Sequence, residues 1–491
     1  MLSCANEDKD SITNLSLESF SFLKENNPQL KEDVSCNIIG DSLIEVFLPH
    51  ISTESLVATF AGEFRYVEVG GVKQQASVTA NNFNQCIHYI LIGDDGKFKK
   101  YTCKIRGYNG VPRVFVKTEG LQEIKSKENY LDATIRIDNS SEYNLIESKC
   151  QIKGRGNGTW KYPKKPYKVK MSKKTSLFGF PEEKDWVLLA EYNDRSLLRH
   201  AYMCEVSKAF NIDYTVNYKH VELFVNDVYM GVYVLTDQVE KSKSRVIIDE
   251  DGYLIENDNY ADTEPLAFWG PFRFFTYTFK YPNPDKNEIA LWDEKYTFIS
   301  KYVNEMGEAI KRAEKDSTYL QYIDAHSFAK WLLAEELLGN YDPNLYFVLP
   351  SRQEKMKMMP LWDAEWSLGL ATFTEGLWKE PPYLPQPDSK IWINSDIFLP
   401  LLKNSFFIKI CKEEWDDFAT RINVIEERIH EVKENIRFCV DDNFNKWQLQ
   451  GVLKSPALVA LGTWELEAEY ATDFFHKRYL WINQLRCNNF N

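Results

Sequence analysis

The stretch Asn340–Gly369 constrains this chain more than any other. It reads N-Y-D-P-N-L-Y-F-V-L-P, then a polar turn, then M-M-P-L-W-D-A-E-W-S-L-G. Apolar spacing predicts a helix over His326–Leu338 that feeds into it. A hydrophobic strand, the turn and a second apolar run then read as a hairpin. Asp342 falls in the loop just after the helix, and Asp363 and Glu365 fall just after the second apolar run. Antiparallel strands that leave and return side by side bring residues about twenty apart in sequence close in space. Carboxylates that converge at one sheet edge repel each other unless a cation sits among them. The functional reading is therefore a Mg²⁺ or Ca²⁺ site. A structural reading stays open beside it: Asp342 as a helix-end turn residue and Asp363 as the cap of the next segment, both common roles for aspartate.

At 491 residues the chain has room for about two to four domains. A formal net charge of −13 argues against a general nucleic-acid partner, which calls for a basic face. No apolar run reaches the length of about 18 residues that a membrane span needs. The nine cysteines lack C-x-x-C spacing and the seven histidines lack H-E-x-x-H spacing, so neither a zinc centre nor a disulfide scaffold is indicated. No Ser/His/Asp arrangement stands out either. The opening Met-Leu-Ser-Cys4, followed by an acidic run, resembles the end of a bacterial lipoprotein signal without its apolar region. That implies a tether over residues 1–12 lipidated at Cys4, with membrane association through that anchor alone. The expected location is the cell envelope, at the outer-membrane surface or in the periplasm. A plain cytosolic start with a chance cysteine is the alternative.

Residues 13–107 read as an all-β module. Short β-rich runs recur at sandwich spacing: Leu15–Phe22, Ser42–Leu48, Ser55–Phe60, Tyr66–Val69, Ile87–Ile92 and Lys99–Ile105, the last two flanking the turn Gly93-Asp-Asp-Gly96. The module resembles immunoglobulin-like units of exported bacterial proteins and carries no cluster that suggests chemistry. Gly107–Pro112 is a loop and the expected boundary. From 108 onward strands dominate to about Pro284, interrupted by one helix over Ser196–Phe210. The pattern then turns helical over Thr297–Lys315, His326–Leu338, Ser405–Phe418, Ile422–Cys439 and Glu465–Arg486. A β-rich half before a helical half predicts an α+β domain over 108–491 with a cleft between lobes.

Four more stretches carry candidate chemistry. In Ile152–Met171 three glycines in five residues let the backbone approach an anion, and a strand follows with Lys168 and Lys170 on one face. This matches neither a P-loop nor a dinucleotide fingerprint. Its aromatics, Trp160, Tyr162 and Tyr167, interleave with Lys161, Lys164, Lys165 and Lys168, which also suits stacking on sugars. In Trp186–Arg199 a strand leads into the helix, with Ser196 as a possible N-cap and Glu205 placed either to pair with a strand lysine or to pair locally. Two strands, Gly231–Gln238 and Tyr253–Asp258, end in the acids Asp237, Glu256 and Asp258.

Taken in order, I-K-G-R-G-N-G-T-W…P-K-K-P-Y-K-V-K, W-V-L-L-A-E-Y-N-D-R-S-L-L-R, G-V-Y-V-L-T-D-Q, L-L-G-N-Y-D…N-L-Y and P-L-W-D-A-E-W-S-L-G resemble the spore-coat-protein-H (CotH) kinase family over about Pro112–Arg486. The resemblance implies a remote, atypical relative of protein kinases that binds ATP with Mg²⁺ and phosphorylates Ser/Thr of exported proteins. Carried over by motif, Asp363 becomes the metal-binding acid and Asp342 the acid that orients the acceptor hydroxyl. Asn344, or else Asn340, becomes the second metal ligand, with Glu365 beside them. Arg155 and Lys168 face phosphates, Lys165 substitutes, and Glu205 and Glu256 complete the nucleotide site. Glu365 stands where the family has a second aspartate, and Asp237 where it commonly has glutamate; both put efficient catalysis in question. The alternative is a non-catalytic protein on the same fold that binds a surface glycan through its Trp/Tyr-rich cleft.

Overall fold

The computed structural model describes residues 14–490 apart from 31–32, 50–52, 84–85, 109–110, 140–143, 258–263, 273–275, 375–376, 381–384, 438, 452 and 454–455. Cys4, the proposed tether and Asp258 lie outside the described residues. The architecture is α+β, and the chain divides into two units at Gly110–Val111.

In the first unit, Ser16–Phe22 lies between Val34–Ser35 and Thr59–Glu63 in a three-stranded sheet. A six-stranded sheet runs in the order Asn37–Ile39, Leu43–Pro49, Phe98–Tyr108, Ile87–Ile92, Tyr66–Val69 and Val72–Gln74. The turn read at Gly93–Gly96 closes the expected hairpin, with Ile92 opposite Phe98 and Gly96 at φ +78°. Phe20, Phe22, Ile44, Val46, Phe60, Tyr89, Leu91 and Tyr101 share one core. They alternate along their strands with exposed or half-exposed residues, the period of a sheet buried on one face.

The second unit opens with a closed seven-stranded barrel. Around it run Arg113–Thr118, Leu131–Asn139, Asn144–Gly154, Tyr167–Thr175, Glu183–Leu189, Val228–Asp237 and Tyr218–Val225. Arg113–Thr118 closes it by pairing in parallel with Tyr218–Val225, Arg113 opposite Glu222. Alternate residues point inward: Ile135 and Ile137, Tyr167, Val169 and Met171, Trp186 and Leu188, Tyr233 and Leu235 fill the barrel. Lys153 and Lys168 oppose each other across two strands on its outer face.

A second sheet follows, in the order Ala267–Trp269, Thr276–Tyr281, Tyr253–Asn257, Leu345–Leu349 and Lys357–Met358. Its last pair is the hairpin expected from the sequence, with Phe347 opposite Met358. Beside it lies the helix Ala325–Leu338. Asp324 caps its start by accepting from the Ser327 amide at 3.0 Å, and Gly339 ends it at φ +60°. Nearly every residue of this helix is buried, as befits an element with packing on all sides rather than one apolar stripe. Glu294–Lys311, Ser405–Ala419, Ile422–Ile436 and Trp464–Cys487 pack into the same core. The short helix Val440–Trp447 was not expected.

Candidate active site

The central helix delivers the first acid. Just past Gly339, the buried Asn340 accepts from the Asp342 amide through Oδ1 at 3.3 Å, which folds the loop back on itself. Asn340 Nδ2 donates to the main-chain carbonyl of Asp363 at 2.9 Å. The Asn344 amide donates to the Trp362 carbonyl at 3.1 Å, and the Leu368 amide to the Leu338 carbonyl at 2.8 Å. These cross-links hold the segments after helix and hairpin side by side, as the spacing predicted. Asp363 takes φ +67°, a backbone conformation that costs a non-glycine residue about 1 kcal/mol or more and that clusters at functional sites.

Asp342 and Asp363 are open to solvent yet hemmed in by protein, as groups on the floor of a hollow are. Burial, then the charge of Asp363, pushes the Asp342 carboxyl up to about 7. Burial also raises Asp363, against the opposing pull of Arg155. Arg155 comes from the Gly-rich turn. Its guanidinium lies 5.6 Å from the centre of the Trp362 ring, and it faces the Tyr346 phenol and the carboxyls of Asp363 and Glu256. Glu256 sits opposite Tyr346 in the second sheet, accepts from Asn344 Nδ2, and pairs with Lys280 at 2.7 Å.

Glu365 closes the other side. It accepts from the Asn193 amide at 3.1 Å, and burial together with Asp363 raises its carboxyl to about 8. Behind it stands Glu191, nearly buried and at φ +47°, whose carboxyl is held well up by burial and by Asp194, Glu365 and Asp363. Asp194 and Arg199 are both fully buried and pair at 2.5 Å; Arg199 also donates to the carbonyls of Ser367 at 2.8 Å and Leu368 at 3.2 Å. The N-D-R-S-L-L-R block thus clamps the W-D-A-E-W-S-L-G block from the far side.

Several expectations need correction or relocation, and of the two pairings open to Glu205 the local one forms. Glu205 does not reach a strand lysine: it pairs with Lys208 at 2.8 Å, one helical turn on, and accepts from the Tyr218 hydroxyl at 3.0 Å. Ser196 is not the helix cap. The helix begins at Arg199, and Asp194 satisfies its first amide at 2.9 Å. Lys168 faces Asp185 at 3.1 Å on the outer barrel face, and Lys165 turns back on its own loop to the Trp160 carbonyl at 2.5 Å. Asp237 is buried against Arg245 at 3.2 Å and the Tyr214 hydroxyl at 2.9 Å, a structural setting.

Asp363, Asn344 and Glu365 offer only oxygen, which suits a hard cation. Among the described residues, no group of three or more His, Cys, Asp or Glu side chains is arranged to hold a metal by itself. Mg²⁺ usually takes one or two carboxylates and completes its shell with water and phosphate. Burial raises all three carboxyls Asp342, Asp363 and Glu365, and the charge of Asp363 adds to the rise of the other two, the setting in which a bound cation would favour the ionised forms.

Sequence reading missed Glu191 and Glu335, and it took Lys164 for an exposed lysine when it is fully buried. Glu335 is fully buried in the central helix with the Asn340 side chain beside it, and burial lifts it to about 8. The available signal was an acid inside an otherwise apolar helical run.

The family model described as CotH kinase protein matches residues 152–482, about two thirds of the chain. The match starts two residues before Gly154 and ends within the last helix. A search of curated proteins returns no match.

Proposed function

The chain belongs to the CotH kinase family, and from that premise we propose that it binds ATP with Mg²⁺ and transfers the γ-phosphate to a Ser/Thr hydroxyl of an exported protein. The observation that carries the reading is the tie from Asn340 to the Asp363 carbonyl, which sets Asp342 and Asp363 around one hollow facing Arg155. Phosphoryl transfer asks a protein mainly for positioning and charge stabilisation.

Asp363, Asn344 and Glu365 would hold Mg²⁺, which supplies neutralisation of phosphate charge. Arg155 faces the same charge from the Gly-rich turn. Asp342 orients the acceptor hydroxyl and takes its proton as the new O–P bond forms and the bond to ADP breaks. Glu256 holds Asn344 in place through its amide. Lys168, Lys165 and Glu205 would join a nucleotide only by leaving their present partners, so they are assigned no contact.

The sugar-binding reading is weaker. Trp160 packs so closely over Gly154 that a Cβ there would sit 2.3 Å from the ring, and Tyr162 stacks on Tyr192 at 5.3 Å. The aromatics of that loop are committed to packing rather than offered as a platform. We further propose that residues 13–107 form an immunoglobulin-like spacer or binding module, and that Cys4 anchors the chain in the cell envelope.

The test is direct. Incubate the protein with γ-labelled ATP and MgCl₂, alone and with a Ser/Thr-rich acceptor protein. Phosphoserine or phosphothreonine formed by the wild type and lost in Asp342→Asn supports the reading. No label in either protein, across a range of acceptors, counts against it.

A further inference from the structure

The helix Val440–Trp447 reaches the barrel at one place. Asn443 is fully buried, and its Oδ1 accepts two hydrogen bonds, from Lys164 Nζ at 2.9 Å and from the Val232 amide at 3.1 Å. Trp447 Nε1 donates to the Met230 carbonyl at 2.9 Å. Gly231 lies between these contacts at φ +99°. A Cβ there would stand 2.4 Å from Asn443 Oδ1 and 2.9 Å from Trp447 Nε1, so the helix docks only onto bare backbone.

Lys164 belongs to the loop that starts at Arg155. The loop is closed by the Arg155 amide on the Pro166 carbonyl at 3.2 Å and by the Tyr233 hydroxyl on the Lys165 carbonyl at 2.9 Å. Lys164 is fully buried; its Nζ also donates to the Val232 carbonyl at 2.5 Å and lies 4.8 Å from the centre of the Tyr233 ring. The acids it faces are Glu191, Asp194 and Glu365. Burial pulls the Lys164 amine down to about 7, and a buried polar group is costly unless its donors are satisfied; Asn443, 279 residues away, supplies one of the two acceptors found among the described residues. Asn443 Nδ2 has no partner among the described residues. An aspartate would avoid that cost, but it would add a carboxylate beside an amine that already faces Glu191, Asp194 and Glu365.

We propose that Asn443 is a positioning residue for the candidate site: by holding Lys164 Nζ it fixes the loop 155–166 that carries Arg155. The helix Val440–Trp447 thereby acts on the nucleotide site through Lys164 and its loop. The consequence for nucleotide rests on the kinase reading; the consequence for the loop does not.

The test compares wild type, Asn443→Ala, Asn443→Asp and Trp447→Phe by amide hydrogen exchange without nucleotide, and by Mg²⁺·ATP kinetics. Loss of an acceptor to a buried amine predicts roughly tenfold faster exchange in 155–166 for Asn443→Ala, with 325–338 unchanged. Asn443→Asp keeps the acceptor and restores protection, and Trp447→Phe leaves Lys164 held and the loop protected. In kinetics, Asn443→Ala raises KM for Mg²⁺·ATP about tenfold and leaves kcat within about twofold. Wild-type exchange in 155–166 for Asn443→Ala overturns the proposal. So does faster exchange that extends through 325–338, or that Asn443→Asp fails to reverse. If the wild type binds no Mg²⁺·ATP, the kinase reading falls, and the exchange pattern still decides the role of Asn443.

Discussion

Asn340 donates from its side-chain amide to the backbone carbonyl of Asp363 at 2.9 Å, so a residue that ends a helix fixes the main chain of an acid that follows a hairpin. The loop bearing Asp342 is tied by the same side chain, through Oδ1. Replacing Asn340 with Ala removes both bonds at once while Gly339 still ends the helix. We expect activity to fall by at least tenfold with a loss of about 1–3 kcal/mol in stability, read from initial rates and denaturant unfolding of the same preparation.

Arg199 has no exposed surface, and it joins Asp194 to the carbonyls of Ser367 and Leu368. Removing one partner of a buried pair strands the other charge, at a cost of about 3–5 kcal/mol. Arg199→Met should therefore shift unfolding of the second unit by that order. All thirteen tryptophans lie beyond residue 110, so tryptophan fluorescence reports that unit alone. A shift within about 0.5 kcal/mol would mean the clamp is not structural.

The pH dependence of the rate follows from Asp342. Its carboxyl is raised to about 7 by burial and Asp363, and it accepts a proton only when ionised. kcat/KM, which reports the free enzyme, should climb with pH and level off near 7, falling about tenfold per unit below that. The kcat limb should lie at lower pH, because a bound cation favours the ionised form. Rates measured from pH 5 to 9 check both limbs, and identical midpoints would argue against a cation beside Asp342.

Glu335 gives a stability effect of definite sign. Its folded carboxyl is raised to about 8, against an ordinary value of about 4.3. Between those values the folded chain binds a proton that the unfolded chain has released, so wild-type stability falls as pH rises across that window. Glu335→Gln has no such proton. Its Tm should exceed that of the wild type by a few degrees at pH 8, and the gap should shrink toward pH 5. Scanning calorimetry at both pH values checks this; a gap that widens toward acid would contradict it.

Some of this was legible in the sequence and some was not. The central helix could be read from its apolar spacing, and the hairpin because two apolar runs flank a polar turn. Both acids were placed correctly relative to these elements. The barrel's closure was not legible, since Arg113–Thr118 meets Tyr218–Val225 in parallel across about a hundred residues with no local signal. The local partner of Glu205 was one of the two pairings the sequence left open, and a lysine one turn along the helix is the one that forms. The burial of Lys164 was hidden in a run of lysines that reads as solvated. Its buried setting depends on Asn443, whose helix the charged run around Ile422–Cys439 gave no reason to expect.

The central claim is that Asp363 helps hold a cation and nucleotide in this hollow, and ligand-dependent melting tests it most directly. Asn is the fitting replacement, since it tolerates the left-handed backbone that Asp363 adopts at φ +67°. Melt the wild type and Asp363→Asn alone, with millimolar Mg²⁺, with ATP, and with both. The account predicts a wild-type Tm that rises with Mg²⁺ and ATP together, by the equivalent of about 2–3 kcal/mol near a hundredfold excess over Kd. It predicts no such rise in Asp363→Asn, whose Tm without ligand is unchanged or higher. A wild type indifferent to Mg²⁺·ATP, or an Asp363→Asn protein stabilised to the same extent, would contradict it.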